Sequence, residues 1–365
     1  MSFPCIKINL NKIADNAKLI NGRCNQSGIS VVGVTKSILA DINIVKVLKK
    51  SGIKIFGDSR LLNLVKLRSY FGYGQELILL RTPMLTECEN LVEICDTSLQ
   101  TEIETVKLLS KICLRKKLTH NIIIMVETDD KREGIYPGEV MAFFYEVYKN
   151  YKNIKITGLG TNARCLSKRK PTLKSINYLV DLKNKINGLY SFKIPVISGG
   201  NSSLWKYIES KELPEGVNQV RIGEAIFVGN ETANYTMING AHGDSFMLEA
   251  EIIEVKEKKD RIYKAILALG IQDVGCKHIK IQNPFYEIIG QSSDHTVLGL
   301  KKQYYSAGDK SDLNFTIEES TAKKQYDKNE PFLQKLNVGD VVKFRLDYFG
   351  ILSCMTSPFV IKKYV

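Results

Sequence analysis

The sequence of 365 residues is 44% hydrophobic and 25% charged, which excludes a disordered chain and leaves room for two or three domains. Its formal net charge of +13 keeps a nucleic-acid-binding protein among the alternatives. No run approaches the ~20 apolar residues of a membrane span, and the N-terminus has no apolar signal-peptide core. Eight scattered cysteines predict reduced thiols in the cytoplasm, and four isolated histidines argue against a His-rich metal site.

Through about residue 230, short apolar runs alternate with longer amphipathic ones. Helical spacing is clearest in Asp41–Lys50, where Ile42, Val45 and Leu48 recur on one side. Similar helices are predicted at Leu61–Tyr70, Glu102–Leu114, Val140–Tyr151 and Leu173–Asn187. Strands are predicted at Ile29–Thr35, Ile53–Gly57, Glu76–Arg81, Asp96–Leu99, Asn121–Glu127, Ile154–Thr161, Ile194–Ser198 and Gln219–Ile222. This alternation predicts a (β/α)8 (TIM) barrel, with a doubly wound open sheet as the alternative. A dinucleotide-binding sheet is disfavoured because no Gly-x-Gly-x-x-Gly follows the first strand.

From about residue 240 the pattern changes to strands without long helices between them. The predicted strands are Phe246–Val255, Ile262–Leu269, Phe285–Gly290, Thr296–Leu300, Asp340–Arg345 and Ser357–Ile361. We therefore predict two domains, a barrel over residues 1–235 and a mainly β domain over 236–365. The polar stretch 301–335 is interpreted as a surface insertion in the second domain.

Three segments carry the candidate chemistry of the barrel. Lys36 directly follows the most apolar early strand, where partial desolvation would make its amine nucleophilic, although a lysine that merely caps a strand is the simpler alternative. Ser198–Ser203 and Arg221–Glu224 lie at the C-terminal ends of the seventh and eighth predicted strands, whose loops are the usual phosphate site of such barrels. Together they favour a phosphate-bearing cofactor that forms an imine, namely pyridoxal phosphate.

A series of short motifs in one order makes a resemblance specific. They are Val34-Thr-Lys36, Gly57-Asp-Ser-Arg60, Arg132-Glu-Gly134, Gly160-Thr-Asn162, Ser198-Gly-Gly-Asn-Ser-Ser203, Asn218-Gln-Val-Arg-Ile-Gly-Glu224, Gln272-Asp-Val274, Ser292-Ser-Asp-His295 and Met355-Thr-Ser-Pro358. The sequence resembles the ornithine racemase branch of the alanine racemase family, which are fold-type III pyridoxal-phosphate enzymes. The resemblance runs from about residue 3 to the C-terminus, apart from the insertion.

The resemblance implies a role for each matching residue. Lys36 would hold the cofactor as a Schiff base and shuttle a proton, and Arg132 would lie near the substrate carboxylate. Arg221 would face the pyridine nitrogen, Asn162 would contact the ring, and Tyr348 would lie near the phosphate and the lysine. The implied phosphate-binding positions are Asn201, Ser202, Gly223 and Glu224. The resemblance also implies a homodimer whose active site is shared between subunits.

Arg221 has a chemical consequence that does not depend on the resemblance alone. A guanidinium stays protonated, so it can donate a hydrogen bond to the ring nitrogen but cannot give it a proton. The ring is then a weaker electron sink, which favours reprotonation at Cα and hence racemisation.

The second proton-transfer group departs from the family pattern. Alanine racemases use a tyrosine of the partner subunit, and Ile271 takes its place in Gly270–Val274. Asp273, Asp294 and His295 are the candidate replacements, and a histidine suits proton transfer near neutral pH best. Met125 takes the place of a lysine that some alanine racemases carry in modified form.

These departures argue against alanine as the substrate and favour ornithine or a related basic amino acid. The side-chain ammonium would need a carboxylate, for which Asp129, Asp130, Glu133 and Asp294 are candidates. Alanine racemase, a fold-III decarboxylase and a cofactor-carrier protein remain alternatives. A nucleic-acid partner is not expected, because no aromatic-interleaved basic strand or zinc knuckle is present. A membrane partner is not expected either, because no apolar run is long enough for a span.

Overall fold

The computed structural model describes residues 3–257, 263–301 and 335–365. The insertion predicted at 301–335 therefore lies, except for its two end residues, outside the described residues. Over the part of the chain that is described, no helix is long and apolar enough to cross a membrane.

Eight parallel strands close into a barrel, which confirms the predicted (β/α)8 architecture and shows that the open-sheet alternative is wrong. Strand β1 (Cys5–Ile8) precedes them. The barrel strands are β2 (Ser30–Val34), β3 (Ile55–Asp58), β4 (Glu76–Leu79), β5 (Thr97–Gln100), β6 (His120–Met125), β7 (Ile154–Gly160), β8 (Val196–Ser198) and β9 (Gln219–Ile222). A fully apolar cluster fills part of the barrel, formed by Val32, Ile78, Leu99, Ile123 and Met125. Because the strands are parallel, all of their carboxyl ends meet at one rim.

Helices follow most of the barrel strands. They are α1 (Leu10–Gln26), α2 (Ile42–Lys50), α3 (Leu61–Phe71), α4 (Cys88–Ile94), α5 (Ile103–Lys116), α6 (Val140–Asn150), α7 (Leu173–Tyr190), α8 (Trp205–Glu209) and α9 (Glu224–Val228). In α2 the Asp41 carboxylate accepts the N–H groups of Asn43 and Ile44, and the apolar side faces inward as its spacing predicts. Helix α1 was not predicted, although Ile13, Ala17, Ile20 and Cys24 are buried at helical spacing, and the buried Asn16 and Asn21 interrupt its apolar face.

The remaining described strands form a second, mainly antiparallel sheet in the order β12-β15-β10-β11-β14-β13. They are β10 (Phe246–Glu257), β11 (Tyr263–Leu267), β12 (Ile279–Ile281), β13 (Tyr286–Gln291), β14 (Thr296–Leu300), β15 (Val341–Leu346) and β16 (Ile361–Tyr364), with helix α10 (Tyr348–Thr356) between the last two. The strand predicted at Ser357–Ile361 is wrong. Helix α10 continues to Thr356, and Pro358 has no N–H for a sheet hydrogen bond, so β16 begins only at Ile361.

The chain divides into two compact units, one over residues 9–245 and one formed by β1 with the described residues from Phe246 onward. This differs from the predicted division at 235 in two places. Strand β1 pairs antiparallel with β10 and parallel with β16, which draws it into the second unit. The segment before Phe246 stays with the barrel, because the Asn16 side chain of α1 bonds to both the N–H and the carbonyl of His242.

Candidate active site

Lys36 begins a short 3₁₀ turn two residues beyond β2, at the carboxyl rim of the barrel. The Thr35 hydroxyl before it donates to Asp58 Oδ2 at 2.7 Å, and Asp58 ends the neighbouring strand β3. Burial raises the pKa of Asp58, whereas the Thr35 hydroxyl, neighbouring donors and the charge of Lys36 lower it. The segment carrying the lysine is therefore fixed to β3 through a buried polar contact.

Arg221 lies on β9 and is only 4% exposed. Its Nη1 donates to the carbonyl and the hydroxyl of Ser198, and its Nη2 donates to the Thr161 carbonyl and, at 2.6 Å, to Asn162 Oδ1. Four of its five N–H groups are thus engaged, and within the described part of the chain only Nε has no acceptor. No carboxylate of the described residues forms an ion pair with Arg221. Burial lowers the pKa of Arg221 to about 10, so the group remains charged at neutral pH.

A second arginine lies on the loop between β6 and α6. Arg132 forms an ion pair with the carboxylate of Glu133, which raises the pKa of the Arg132 guanidinium, and its Nε lies 3.7 Å from Asp130 Oδ2. Glu133 Oε1 also accepts a hydrogen bond from Asn162 Nδ2 at 2.8 Å. Since Asn162 is bonded to Arg221 as well, the structure joins three of the predicted site residues in one hydrogen-bonded series.

The loop after β8 meets the start of α9 at the same rim. Asn201 Oδ1 accepts the N–H of Ser203, and the Ser202 hydroxyl accepts the N–H of Ala225, which links the two segments. Gly223 is the N-cap of α9 and Glu224 its first residue. Ser203 is 2% exposed, and its hydroxyl has no hydrogen-bond partner in the described part of the protein.

Cys165, which the sequence analysis did not identify, lies among these groups. Its Sγ is 3.1 Å from Asn201 Nδ2. Cys165 is exposed as a residue, but the surrounding protein partly desolvates its thiol and so raises the pKa of the thiol, while the charges of Arg132, Lys36 and Arg221 act in the opposite direction. Asp130 Oδ1 fixes this loop by accepting the N–H groups of Cys165, Leu166 and Ser167.

The signals for the residues that were missed are local. Cys165 stands three residues after Asn162, and Ser198 and Ser203 are the ends of a motif of which only the middle was assigned. Glu133 was a candidate partner of the substrate ammonium, and its contact with Arg132 was not predicted. Met125 is 1% exposed in the apolar barrel cluster, so its position holds no charged group.

Three predicted site residues, Asp294, His295 and Tyr348, belong to the second compact unit. His295 Nδ1 lies 3.1 Å from Asp294 Oδ2 on the turn between β13 and β14, where Asp294 is exposed and His295 half-buried. The Ser292 and Ser293 hydroxyls hold the pKa of Asp294 below its usual range. Tyr348 is the first residue of α10 and is largely buried.

Ile271 is 60% exposed, and its N–H donates to the carbonyl of Ser292 at 3.0 Å. Asp273, in contrast, is 4% exposed and accepts the N–H of Gly270. The replaced tyrosine position therefore lies beside the Asp294–His295 turn, and Asp273 is a buried loop residue.

The rim of the barrel thus carries a lysine, two arginines and glycine- and serine-rich loops, and comparison with known proteins identifies the class of enzyme. The model of the alanine racemase N-terminal domain matches residues 8–231. The chain belongs to the alanine racemase family.

Two curated relatives cover practically the whole chain. An ornithine racemase of Acetoanaerobium sticklandii is 32% identical, with 99% of each chain covered. A lysine racemase of Thermotoga maritima is also 32% identical and covers 100% of this chain and 99% of its own. The chain is accordingly an amino-acid racemase.

Solved structures agree on the fold. An alanine racemase from Corynebacterium glutamicum has a TM-score of 0.73 at 16% identity, with both chains fully covered. A D-threonine aldolase from Filomicrobium marinum has the same TM-score at 10% identity, over 97% of this chain and 89% of its own. Because the two differ in name and share the fold, the fold alone does not decide the reaction.

Proposed function

We propose that the protein is a pyridoxal-phosphate-dependent racemase that interconverts the L and D forms of ornithine or a related basic amino acid. Its similarity to an ornithine racemase and a lysine racemase over essentially the whole chain carries this proposal. The rim residues support it, because a lysine, two arginines and the amide and hydroxyl groups of Asn162, Asn201 and Ser202 stand at positions of the family pattern, whereas Ile271 replaces its tyrosine.

The residues fit the cofactor at its two ends. Arg221 Nε has no acceptor in the described part of the chain and would face the pyridine nitrogen, with Asn162 beside the ring. Asn201, Ser202 and the backbone of Gly223 and Glu224 would hold the phosphate. The Ser203 hydroxyl, which has no hydrogen-bond partner among the described residues, would be a further donor there. Lys36 would hold the cofactor covalently, and Tyr348 would lie near the phosphate. When bound, pyridoxal phosphate withdraws electrons from Cα and so acidifies its proton.

Arg221 favours racemisation over competing reactions. Its charge persists at neutral pH, and its four fixed hydrogen bonds prevent the guanidinium from turning away. A permanent donor at the ring nitrogen supplies a hydrogen bond and no proton. Electron withdrawal by a bound ring would then be limited, which would favour return of the proton to Cα.

Proton transfer needs one group on each face of Cα. Lys36 Nζ would move the proton on one face, and Arg132 would hold the substrate carboxylate. For the other face we propose His295, with Asp294 as the carboxylate that orients its ring, because the low pKa of Asp294 keeps it ionised and unsuited to carry the proton. By family analogy, this pair would come from the second subunit of a homodimer with shared active sites.

A basic substrate side chain requires a carboxylate partner. Among the four candidates, Glu133 is held by Arg132 and Asn162, Asp294 by His295, and one oxygen of Asp130 by three backbone N–H groups. The Asp129 carboxylate has no hydrogen bond or ion pair within the described ranges. Asp129 is therefore our choice for the group that meets the ammonium.

All eight cysteines are unpaired, which supports a reducing compartment, and we propose the cytoplasm. The free thiols also mean that the purified enzyme needs a reductant during assay.

The deciding experiment incubates the holoenzyme with single L-amino acids and separates the products by chiral chromatography. We expect D-ornithine or D-lysine to form at least tenfold faster than D-alanine. Faster racemisation of alanine would overturn the substrate assignment. Release of carbon dioxide from L-ornithine without any D product would overturn racemisation itself.

A further inference from the structure

The loop between β6 and α6 places Glu133 against the side edge of the Arg132 guanidinium. Glu133 accepts from Nε and from Nη2 of Arg132, so both of its carboxylate oxygens are used. Gly134, the next residue, has φ +137°, and a Cβ there would lie 2.4 Å from the Glu127 nitrogen. The backbone of the Arg132-Glu-Gly motif is thus fixed by the close approach that only glycine allows.

Glu133 is in turn fixed to the barrel. Its Oε1 accepts from Asn162 Nδ2 at 2.8 Å, and Asn162 Oδ1 accepts from the buried Arg221. The carboxylate therefore cannot follow Arg132 if that side chain moves outward. Through Asn162, Glu133 therefore anchors Arg132, whose side chain is 38% exposed, to Arg221, which is 4% exposed.

The contact leaves a defined part of Arg132 available. A guanidinium has five N–H groups, of which Glu133 takes one on Nε and one on Nη2. In the described part of the chain, no acceptor meets Nη1 or the second N–H of Nη2. These remaining groups form the end edge of the planar fork, which fits a carboxylate with two parallel hydrogen bonds.

We propose that Glu133 is a positioning residue that holds the side edge of Arg132 so that its end edge receives the carboxylate of the amino-acid substrate. This inference rests on the proposed function, since it presumes an α-amino acid as substrate. The opposite arrangement, in which Glu133 competes with the substrate for Arg132, predicts tighter carboxylate binding when Glu133 is removed. Removal of Glu133 should therefore weaken carboxylate binding if Glu133 positions Arg132 and strengthen it if Glu133 competes with the substrate.

The test measures binding of propionate, a carboxylate without an amino group, to the holoenzyme through the fluorescence of the single tryptophan, Trp205. We expect Glu133→Ala to raise the Kd for propionate at least tenfold and Glu133→Gln to raise it less, because an amide oxygen still accepts from Asn162. The KM for ornithine should rise with the Kd while kcat changes less than threefold. Glu139→Gln, an exposed change on the same loop, is the matched control and should have no effect.

An unchanged or lower Kd for propionate in Glu133→Ala would overturn the proposal. If that variant does not fold, Glu133→Gln and Glu133→Asp carry the same comparison, and a wild-type Kd in both is equally decisive. The proposed function fails separately, when the wild-type enzyme racemises no amino acid. Propionate binding that Arg132→Ala abolishes would still report on the Arg132–Glu133 pair in that case.

Discussion

Asn162 links Arg221 to Glu133, because its Oδ1 accepts from Arg221 Nη2 at 2.6 Å while its Nδ2 donates to Glu133 Oε1 at 2.8 Å. One amide thus connects the buried guanidinium on β9 with the ion pair on the loop after β6. Both ends of the side chain are used, and no other residue type of this size offers a donor and an acceptor in the same geometry.

Replacing Asn162 should weaken both the fold and the site. Asn162→Ala leaves a buried N–H of Arg221 without an acceptor, which we expect to lower the free energy of unfolding by about 1–3 kcal/mol. Urea unfolding followed by circular dichroism measures the change. Asn150→Ala, on the exposed end of α6, is the control, and an equal loss in both variants would contradict the linking role.

Lys36 should be indispensable for racemisation. Lys36→Ala removes the amine that we propose to hold the cofactor and move the Cα proton, so we expect the rate to fall by about three orders of magnitude or more. Borohydride reduction followed by mass spectrometry should place pyridoxal phosphate on Lys36 in the wild type and on no lysine in the variant. Lys50→Ala, an exposed change on α2, should keep both label and rate. Wild-type turnover in Lys36→Ala would refute the assignment.

His120 should make the fold sensitive to acid. It is 1% exposed with Nε2 2.9 Å from the Ser98 hydroxyl, and burial lowers its pKa to about 4. The unfolded chain binds this proton near pH 6.5, so the unfolded state holds more protons between the two values and stability falls as pH falls through that range. The expected loss is about 3 kcal/mol, measured as the unfolding free energy at pH 7 and pH 4.

The His120→Gln variant separates this effect from all other titrations. Glutamine can still bond to Ser98 but takes up no proton, so the difference between pH 7 and pH 4 should shrink relative to the wild type. His242→Gln, at a half-exposed position in the same unit, should retain the His120 effect. If His120→Gln and the wild type lose the same stability, the buried imidazole is not the cause.

Alkylation of Cys165 should interfere with cofactor binding. Its sulfur lies 3.1 Å from Asn201 Nδ2, so an added acetamide group would displace the asparagine from the loop after β8. The raised pKa of the thiol predicts slow reaction at pH 7 and faster reaction at pH 9. We expect iodoacetamide to raise the Kd for pyridoxal phosphate, followed by Trp205 fluorescence, at least fivefold.

Cysteine variants identify the thiol responsible. Cys165→Ser should keep its cofactor affinity after treatment, whereas Cys276→Ser, which removes the other exposed cysteine, should respond like the wild type. Protection by Cys276→Ser and not by Cys165→Ser would contradict the assignment.

The sequence by itself determined the barrel and indicated several of the residues that lie at its rim. The eight strands were predictable because strands buried on both faces are short apolar runs, and the motifs after β2, β8 and β9 marked the rim. Prediction from the sequence failed where the local pattern of apolar residues and the tertiary packing disagree. The inner face of α1 carries buried asparagines, and β16 follows a helix that no apolar spacing announces.

Only the tertiary structure decided how the site residues act on one another. Arg132 and Arg221 are separated by tens of residues in the sequence. Nothing in their spacing indicates that Glu133 and Asn162 connect them through hydrogen bonds. The tertiary structure likewise brought Cys165 to Asn201 and, among the residues that the structure describes, left Arg221 Nε without an acceptor. The net charge of +13 had kept a nucleic-acid-binding protein among the alternatives, and it takes no part in these contacts. The physical reason for the difference is that hydrogen bonds depend on distances of a few tenths of an ångström, which closure of the barrel fixes and local sequence does not.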